Sequence, residues 1–182
     1  MKPLFTIHAG EYLVGSHVEH QFRRVKVWIP TKDTGIDLLV SDRLNRQCVS
    51  LQVKFSKDWL VNQKDLGVQR GVKAIGWWTI DSNKLRHSKA DYWVFVLQDL
   101  ASRSFDFVVI PSRELFRRLQ AIHGRRKRIQ TYLWITNKGR CWETRDLKKR
   151  YQISIADGTY KNKARDFTNW LNTWLPIARL NR

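Results

Sequence analysis

Asp37, Gln52 and Lys54 are the residues whose types and spacing could do chemistry. Asp37 lies in the stretch Gly35-Ile-Asp-Leu-Leu-Val-Ser41. After a polar turn, Gln52 and Lys54 follow in Cys48-Val-Ser-Leu-Gln-Val-Lys-Phe-Ser56. At strand period Gln52 and Lys54 share one face, while Val49, Leu51, Val53 and Phe55 share the other. Lysine normally avoids so apolar a strand, and two polar groups aimed one way beside an aspartate suggest a metal-and-lysine site. The matching chemistry is phosphodiester hydrolysis. It needs a divalent ion to neutralise phosphate charge and activate water, hard oxygen ligands to hold that ion, and a cation near the nucleophile. Asp37 supplies a carboxylate, Gln52 an amide oxygen, Val53 a peptide carbonyl and Lys54 the cation. Glu11, near the start of the chain, is a further ligand candidate.

Several elements must position these groups. Residues 9 to 20 read as a helix carrying Glu11 near its start. Phe22 to Ile29 alternates as a strand ended by Pro30, with Val25, Val27 and Ile29 on one face. The loop from Thr31 to Gly35 is turn chemistry, and strands 36–41 and 48–56 then form an antiparallel hairpin. Residues 57–72 are polar and ambiguous, with a helix expected around Val61 to Gln69. Ala74 to Ile80, Tyr92 to Leu97, Phe105 to Ile110 and Ile129 to Ile135 read as strands. Between the last two, a helix starts at Ser112 as N-cap, carries Leu115, Phe116, Leu119 and Ile122 as its apolar stripe, and ends at Gly124. A last helix is expected over about 161–175, because Phe167, Trp170, Leu171 and Trp174 recur at helical spacing, with Pro176 stopping it. The expected class is α/β, a mixed central sheet flanked by helices. Residues 1–125 form the expected core. Residues 126–182 form a basic C-terminal region and terminal helix packing on the same domain.

The charge names a partner class. Thirty-four Lys and Arg against sixteen Asp and Glu leave +18 on 182 residues, and a folded domain this basic usually meets a polyanion. Between Ser112 and Arg165 there are sixteen basic residues and four acidic ones, so the excess concentrates there. Two clusters, Arg125-Arg126-Lys127-Arg128 and Lys148-Lys149-Arg150, are candidate DNA contacts, gripping phosphates without reading sequence. No apolar run approaches the ~18 residues of a membrane span, and no signal-peptide core is visible. Cys48 and Cys141 form no CxxC pair, which leaves out a zinc knuckle and points to a reduced, cytoplasmic protein. His17 and His20, beside Glu19, read as a solvated helix face rather than a metal pair. His8 and His123 have no partner visible in sequence, which disfavours a His-based metal nuclease. Trp77, Trp78 and Trp142 read as core, with base stacking as the alternative.

Taken in order, helix–Glu11, strand–Gly35-Ile-Asp37 and hairpin Gln52-Val-Lys54 resemble the PD-(D/E)xK nuclease superfamily of restriction enzymes, junction resolvases and some intron-encoded homing endonucleases. Asp91 to Val96 and Phe107 to Ser112 resemble its later core strands, so the resemblance spans about residues 8–122. Two departures stand out: Ile36 replaces the proline before the aspartate, and Gln52 replaces an acidic residue. The neutral ligand removes about one charge from the site, which weakens metal binding or makes Glu11 more necessary. The resemblance implies a Mg²⁺-dependent DNA endonuclease, with Mn²⁺ as a substitute ion, in which Asp37, Gln52, Val53 and Glu11 hold metal and Lys54 orients water. It implies duplex DNA as partner, a 5′-phosphate product, and a homodimer or larger oligomer for double-strand cutting. Homing or restriction is the favoured role. A Holliday-junction resolvase, a non-catalytic nucleic-acid-binding protein with this fold and an RNA-cleaving toxin are the alternatives.

Overall fold

The computed structural model describes residues 9–32, 34–60, 63 and 65–182. Alternation in the strands sets the layers. In β5 (Tyr92–Asp99), Trp93, Phe95 and Leu97 point one way and Val94 and Val96 the other, and both sets are buried. β6 (Ser104–Pro111) repeats this, with Val108 and Ile110 opposite Phe107 and Val109. Strands with two apolar faces must be covered twice.

They lie in a five-stranded sheet ordered β1-β2-β3-β5-β6, with β1 at Val25–Trp28, β2 at Leu38–Asp42 and β3 at Cys48–Ser56. β3 and β5 run parallel and every other pair antiparallel, so the sheet is mixed. One face is covered by α1 (Ala9–Gln21) and α6 (Leu175–Leu180). There Val14, Val18 and Ile177 meet Leu51, Val53, Val94 and Val96. The parallel β3–β5 pair needs a crossover, and this one contains α2 (Leu66–Gly71), β4 (Val72–Asp81) and the short α3 (Ser82–Arg86).

The crossover strand leaves the first sheet. β4 pairs antiparallel with β7 (Arg128–Thr136), and β7 with β8 (Cys141–Glu143), giving a second, three-stranded sheet. Its inner face, with Ala74, Trp78 and Ile80, packs with α4 (Ser112–His123) against Trp93, Phe95 and Leu97. Its outer face, with Ile75 and Trp134, is covered by α2 and α5 (Lys149–Asp157). The expected mixed α/β class holds. The basic C-terminal region contributes two of the three strands of the second sheet. Among the described residues no helix is long and apolar enough to cross a membrane.

Three local expectations are corrected. Residues 161–175 are not a helix. Arg118 Nη1 donates to the carbonyls of Lys163, Ala164 and Asp166 at 2.8–2.9 Å. Those carbonyls would otherwise serve helical N–H groups. Asn172 takes φ +51, and its side chain and backbone bond Phe107, so the segment runs along the β6 edge. Only a 3-10 turn, Thr168–Trp170, remains, and Pro176 starts α6 instead of ending a helix. Ser112 is the first helical residue rather than the cap, and its hydroxyl donates to Ala90 O. Among the described residues of 57–72 the α-helix is Leu66–Gly71, starting later than expected, and Val61 lies outside the described residues.

Candidate functional site

Five of the predicted site residues, Glu11, Asp37, Gln52, Val53 and Lys54, line one cleft of about 1020 Å³. Asp37 is placed by its own backbone, whose N–H donates to Leu51 O at 2.9 Å and so starts the β2–β3 pairing. The chain reaches Asp37 through Gly35 at φ +83, a conformation that favours glycine. Past Asp37 the β2 edge of β3 is open, and the buried Asp37 carboxylate fills it. Oδ2 accepts from Val53 N–H at 2.8 Å and from Gln52 Nε2. In an extended strand the N–H and C=O of one residue open on the same edge. The Val53 carbonyl therefore faces the same gap as the Asp37 carboxylate.

Gln52 is buried, and its Oε1 turns to the cleft side, 3.9 Å from where a Cβ on Gly35 would stand. Lys54, two residues on and on the same face, is half-buried, with Nζ 5.6 Å from the Trp93 ring centre. Trp93 is the register partner of Gln52 on β5, so the polar pair of β3 looks toward the space between the two sheets. Phe55, on the other face, is partly exposed beside the N-terminus of α1.

α1 supplies the buried Glu11 from its first turn. Gly10 permits this approach: a Cβ there would lie 2.7 Å from Phe55 Cβ and 3.3 Å from Val53 Cγ1. Only glycine lets the first turn of α1 rest directly on β3.

The opposite wall was not predicted. It consists of the end of β4, α3 and the following loop, and carries Asp81, Lys84, His87 and Lys89. Asp81 caps α3, accepting from Lys84 N–H at 2.9 Å, and that bond holds its carboxyl below the usual carboxylate range. A five-residue helix leaves no periodicity, and the Asp81-Ser-Asn-Lys84 cap is the only signal that could have found it.

The two basic clusters lie on one edge. Arg125, Arg126, Lys127 and Arg128 are all exposed. Lys127 O accepts from Ser82 N–H at 2.9 Å and Arg128 pairs in register with Asp81, so this cluster runs along the rim of the cleft. Arg126 also reaches Asp146 at 3.8 Å, two residues before Lys148, which brings the second cluster alongside. In that cluster Lys149 pairs with Asp65 at 3.0 Å and Arg150 donates to the Tyr151 hydroxyl at 2.9 Å.

Other basic residues are internal. Arg118 is buried, bonded to three carbonyls and stacked 4.4 Å from the Trp170 ring centre. Arg165 and His123 both bond the fully buried Glu143, at 2.5 and 3.1 Å. His123 thus has a structural partner. His17 is not a solvated residue but leans on Phe107 and Trp174, with centroids 4.6 and 5.0 Å away, while His20 is exposed. His8 lies outside the described residues. Trp78 and Trp142 are core, and Trp77 is half-exposed.

Among the described residues no group of three His, Cys, Asp or Glu side chains is arranged to hold a metal ion. The cleft offers another donor set: two buried carboxylates, an amide oxygen and a peptide carbonyl. These are the hard oxygen ligands that suit Mg²⁺. No family model, curated protein or solved structure matches the chain.

Proposed function

We propose that the chain is a metal-dependent endonuclease of the PD-(D/E)xK type that hydrolyses phosphodiester bonds in DNA. The observation that carries this reading is the convergence of Glu11, Asp37, Gln52 and Lys54 on one cleft whose rim bears Arg125 to Arg128. Asp37, Glu11, the Gln52 amide oxygen and the Val53 carbonyl would hold Mg²⁺, with Mn²⁺ as a substitute. When bound, the ion would neutralise phosphate charge and lower the pKa of a water.

The chain's own groups do the rest. Lys54 is borne on β3 where that strand pairs with β5, so its ammonium is delivered to the cleft floor with little freedom. There it donates to the attacking water and offsets charge building on the phosphate. Val53 N–H fixes the Asp37 carboxylate, so this ligand is oriented before any substrate arrives. Lys84 and Lys89 face the strand from the opposite wall, and Arg125 to Arg128 hold the flanking phosphates. One cleft cuts one strand, so double-strand cleavage calls for a symmetric oligomer, most simply a C2 dimer. A homing or restriction role suits this duplex grip better than junction resolution.

A second reading is a nucleic-acid-binding protein that keeps the fold without hydrolysis. It is favoured by the Gln52 Nε2 bond to Asp37 Oδ2, which engages a carboxylate oxygen a metal would want. Plasmid cleavage separates the two. Wild type should nick and linearise plasmid only with Mg²⁺ or Mn²⁺, and Lys54→Ala should be at least about 100-fold slower at equal DNA affinity, the scale lost with one transition-state donor. Binding without metal-dependent cutting would establish the second reading, and equal cutting by both proteins would remove Lys54 from the site.

A further inference from the structure

The outer face of the second sheet carries a concavity that the cleft does not use. Its floor is the buried pair Ile75 and Trp134, and its walls are the half-exposed rings of Trp59, Trp77 and Tyr132. The cavity is about 340 Å³. Trp59 stands edge-on to Trp77 with centroids 5.2 Å apart, and Trp77 edge-on to Tyr132 at 6.1 Å. All three rings line the space between them. Two amides, Gln63 and Gln152, complete the lining. Gln152 is held by a bond from its Nε2 to Leu147 O at 3.1 Å.

The rim is cationic. Lys57 Nζ lies 4.5 Å from the Trp59 ring centre. Arg145 stacks 5.1 Å from the Tyr132 ring centre and donates to its hydroxyl at 2.9 Å. An aromatic box made to hold a cation, such as a methylated lysine, would be opposed by these charges. A flat, neutral ring joined to a phosphate suits all three features: stacking on the walls, edge hydrogen bonds to the amides, and phosphate to Lys57 and Arg145.

Position supports the same ligand. Trp77 and Thr79 lie on the same face of β4, and Thr79 lines the cleft. Two strand residues span about 7 Å, so a strand with a phosphate in the cleft would pass the pocket within a nucleotide or two. We propose that this pocket receives an unpaired nucleobase from the nucleic-acid strand bound at the cleft. This rests on the reading above that the chain acts on nucleic acid. A base drawn from the stack would hold the strand in register for cutting and favour sites where pairing is weak.

The test uses wild-type protein in EDTA, where the proposed hydrolysis is off, and the ¹⁵N indole signals of its tryptophans. Short single-stranded DNA and RNA oligomers are compared with abasic oligomers carrying the same phosphates. The expected result is movement of the Trp59 and Trp77 signals with base-bearing oligomers. Affinity for these should be about tenfold or more above the abasic ones, and Trp59→Ala should cut that advantage to about twofold. Preference between the DNA and RNA arms identifies the source of the base. Unmoved Trp59 and Trp77 signals at saturation, equal affinity for abasic oligomers, or no binding at all would overturn the proposal. The hydrolytic reading is scored separately, by Mg²⁺-dependent plasmid cleavage, so either can fail alone.

Discussion

Replacing Gly10 with alanine separates the placement of Glu11 from the stability of the fold. The new Cβ would stand 2.7 Å from Phe55 Cβ, where carbon pairs normally rest at about 3.5–4.0 Å. Its neighbours are atoms of β3 where that strand is bonded to the central β5, so α1 is the element that must move, by about 1 Å. Such overpacking costs about 1–3 kcal/mol, offset by up to about 1 kcal/mol for removing a helical glycine. The net loss of stability is about 0–3 kcal/mol, compatible with a folded protein. The same movement carries Glu11 away from Asp37 and the Val53 carbonyl, and a displacement of about 1 Å in a catalytic constellation can cost about 100-fold in rate. The assay is a Mg²⁺ titration of plasmid nicking beside urea unfolding. Tyr12→Ala, on the same turn but 65% exposed, serves as the control. Gly10→Ala should nick about 100-fold more slowly and need more Mg²⁺, while Tyr12→Ala should match wild type. Full activity in a Gly10→Ala protein that has lost 1–2 kcal/mol would refute the argument that Glu11 belongs to the site.

Two other predictions follow from charge. Neutralising Arg125 to Arg128 should reduce the log–log salt slope of DNA binding by up to about 3–4, at about 0.9 per phosphate contact. Neutralising Lys148 to Arg150 should reduce it by only about 1–2, because Lys149 and Arg150 already have protein partners; equal effects by fluorescence anisotropy would refute that ranking. His17 has its pKa lowered from 6.5 by burial against Phe107 and Trp174. The folded state then binds fewer protons than the unfolded one, so this contribution to stability is complete above about pH 6.5 and is lost as pH falls toward the depressed value. In urea melts across that window, His17→Phe should flatten the slope, and an unchanged slope would show that His17 does not carry it.

What could be read from the residues, and what could not, divides on a physical line. α1, the β2–β3 hairpin, β5, β6 and α4 were legible because each is set by a local period and local stop signals. The cleft quartet was legible for the same reason. Gln52 and Lys54 break an apolar strand on one face, and a polar interruption of a buried face needs a cause. The second sheet was not. β4 is buried on one face and partly buried on the other. It finds β7 about fifty residues later, and no local signal states which sheet such a strand will join. The Lys84 and Lys89 wall depends on that choice, since it exists only because β4 leaves the first sheet and α3 turns the chain back to β5. Helical spacing failed at Phe167 to Trp174 because spacing records where apolar groups fall and not where carbonyls bond. Phe167 and Trp174 enter different cores, and Arg118 takes carbonyls that a helix would have used for itself. Arg118, one of the sixteen basic residues between Ser112 and Arg165, is thus what keeps the C-terminal segment extended along β6. Part of the positive charge of the chain is bound to its own backbone, while Arg125 to Arg128 stay exposed beside Asp81, and it is to these that the proposed function assigns the phosphates.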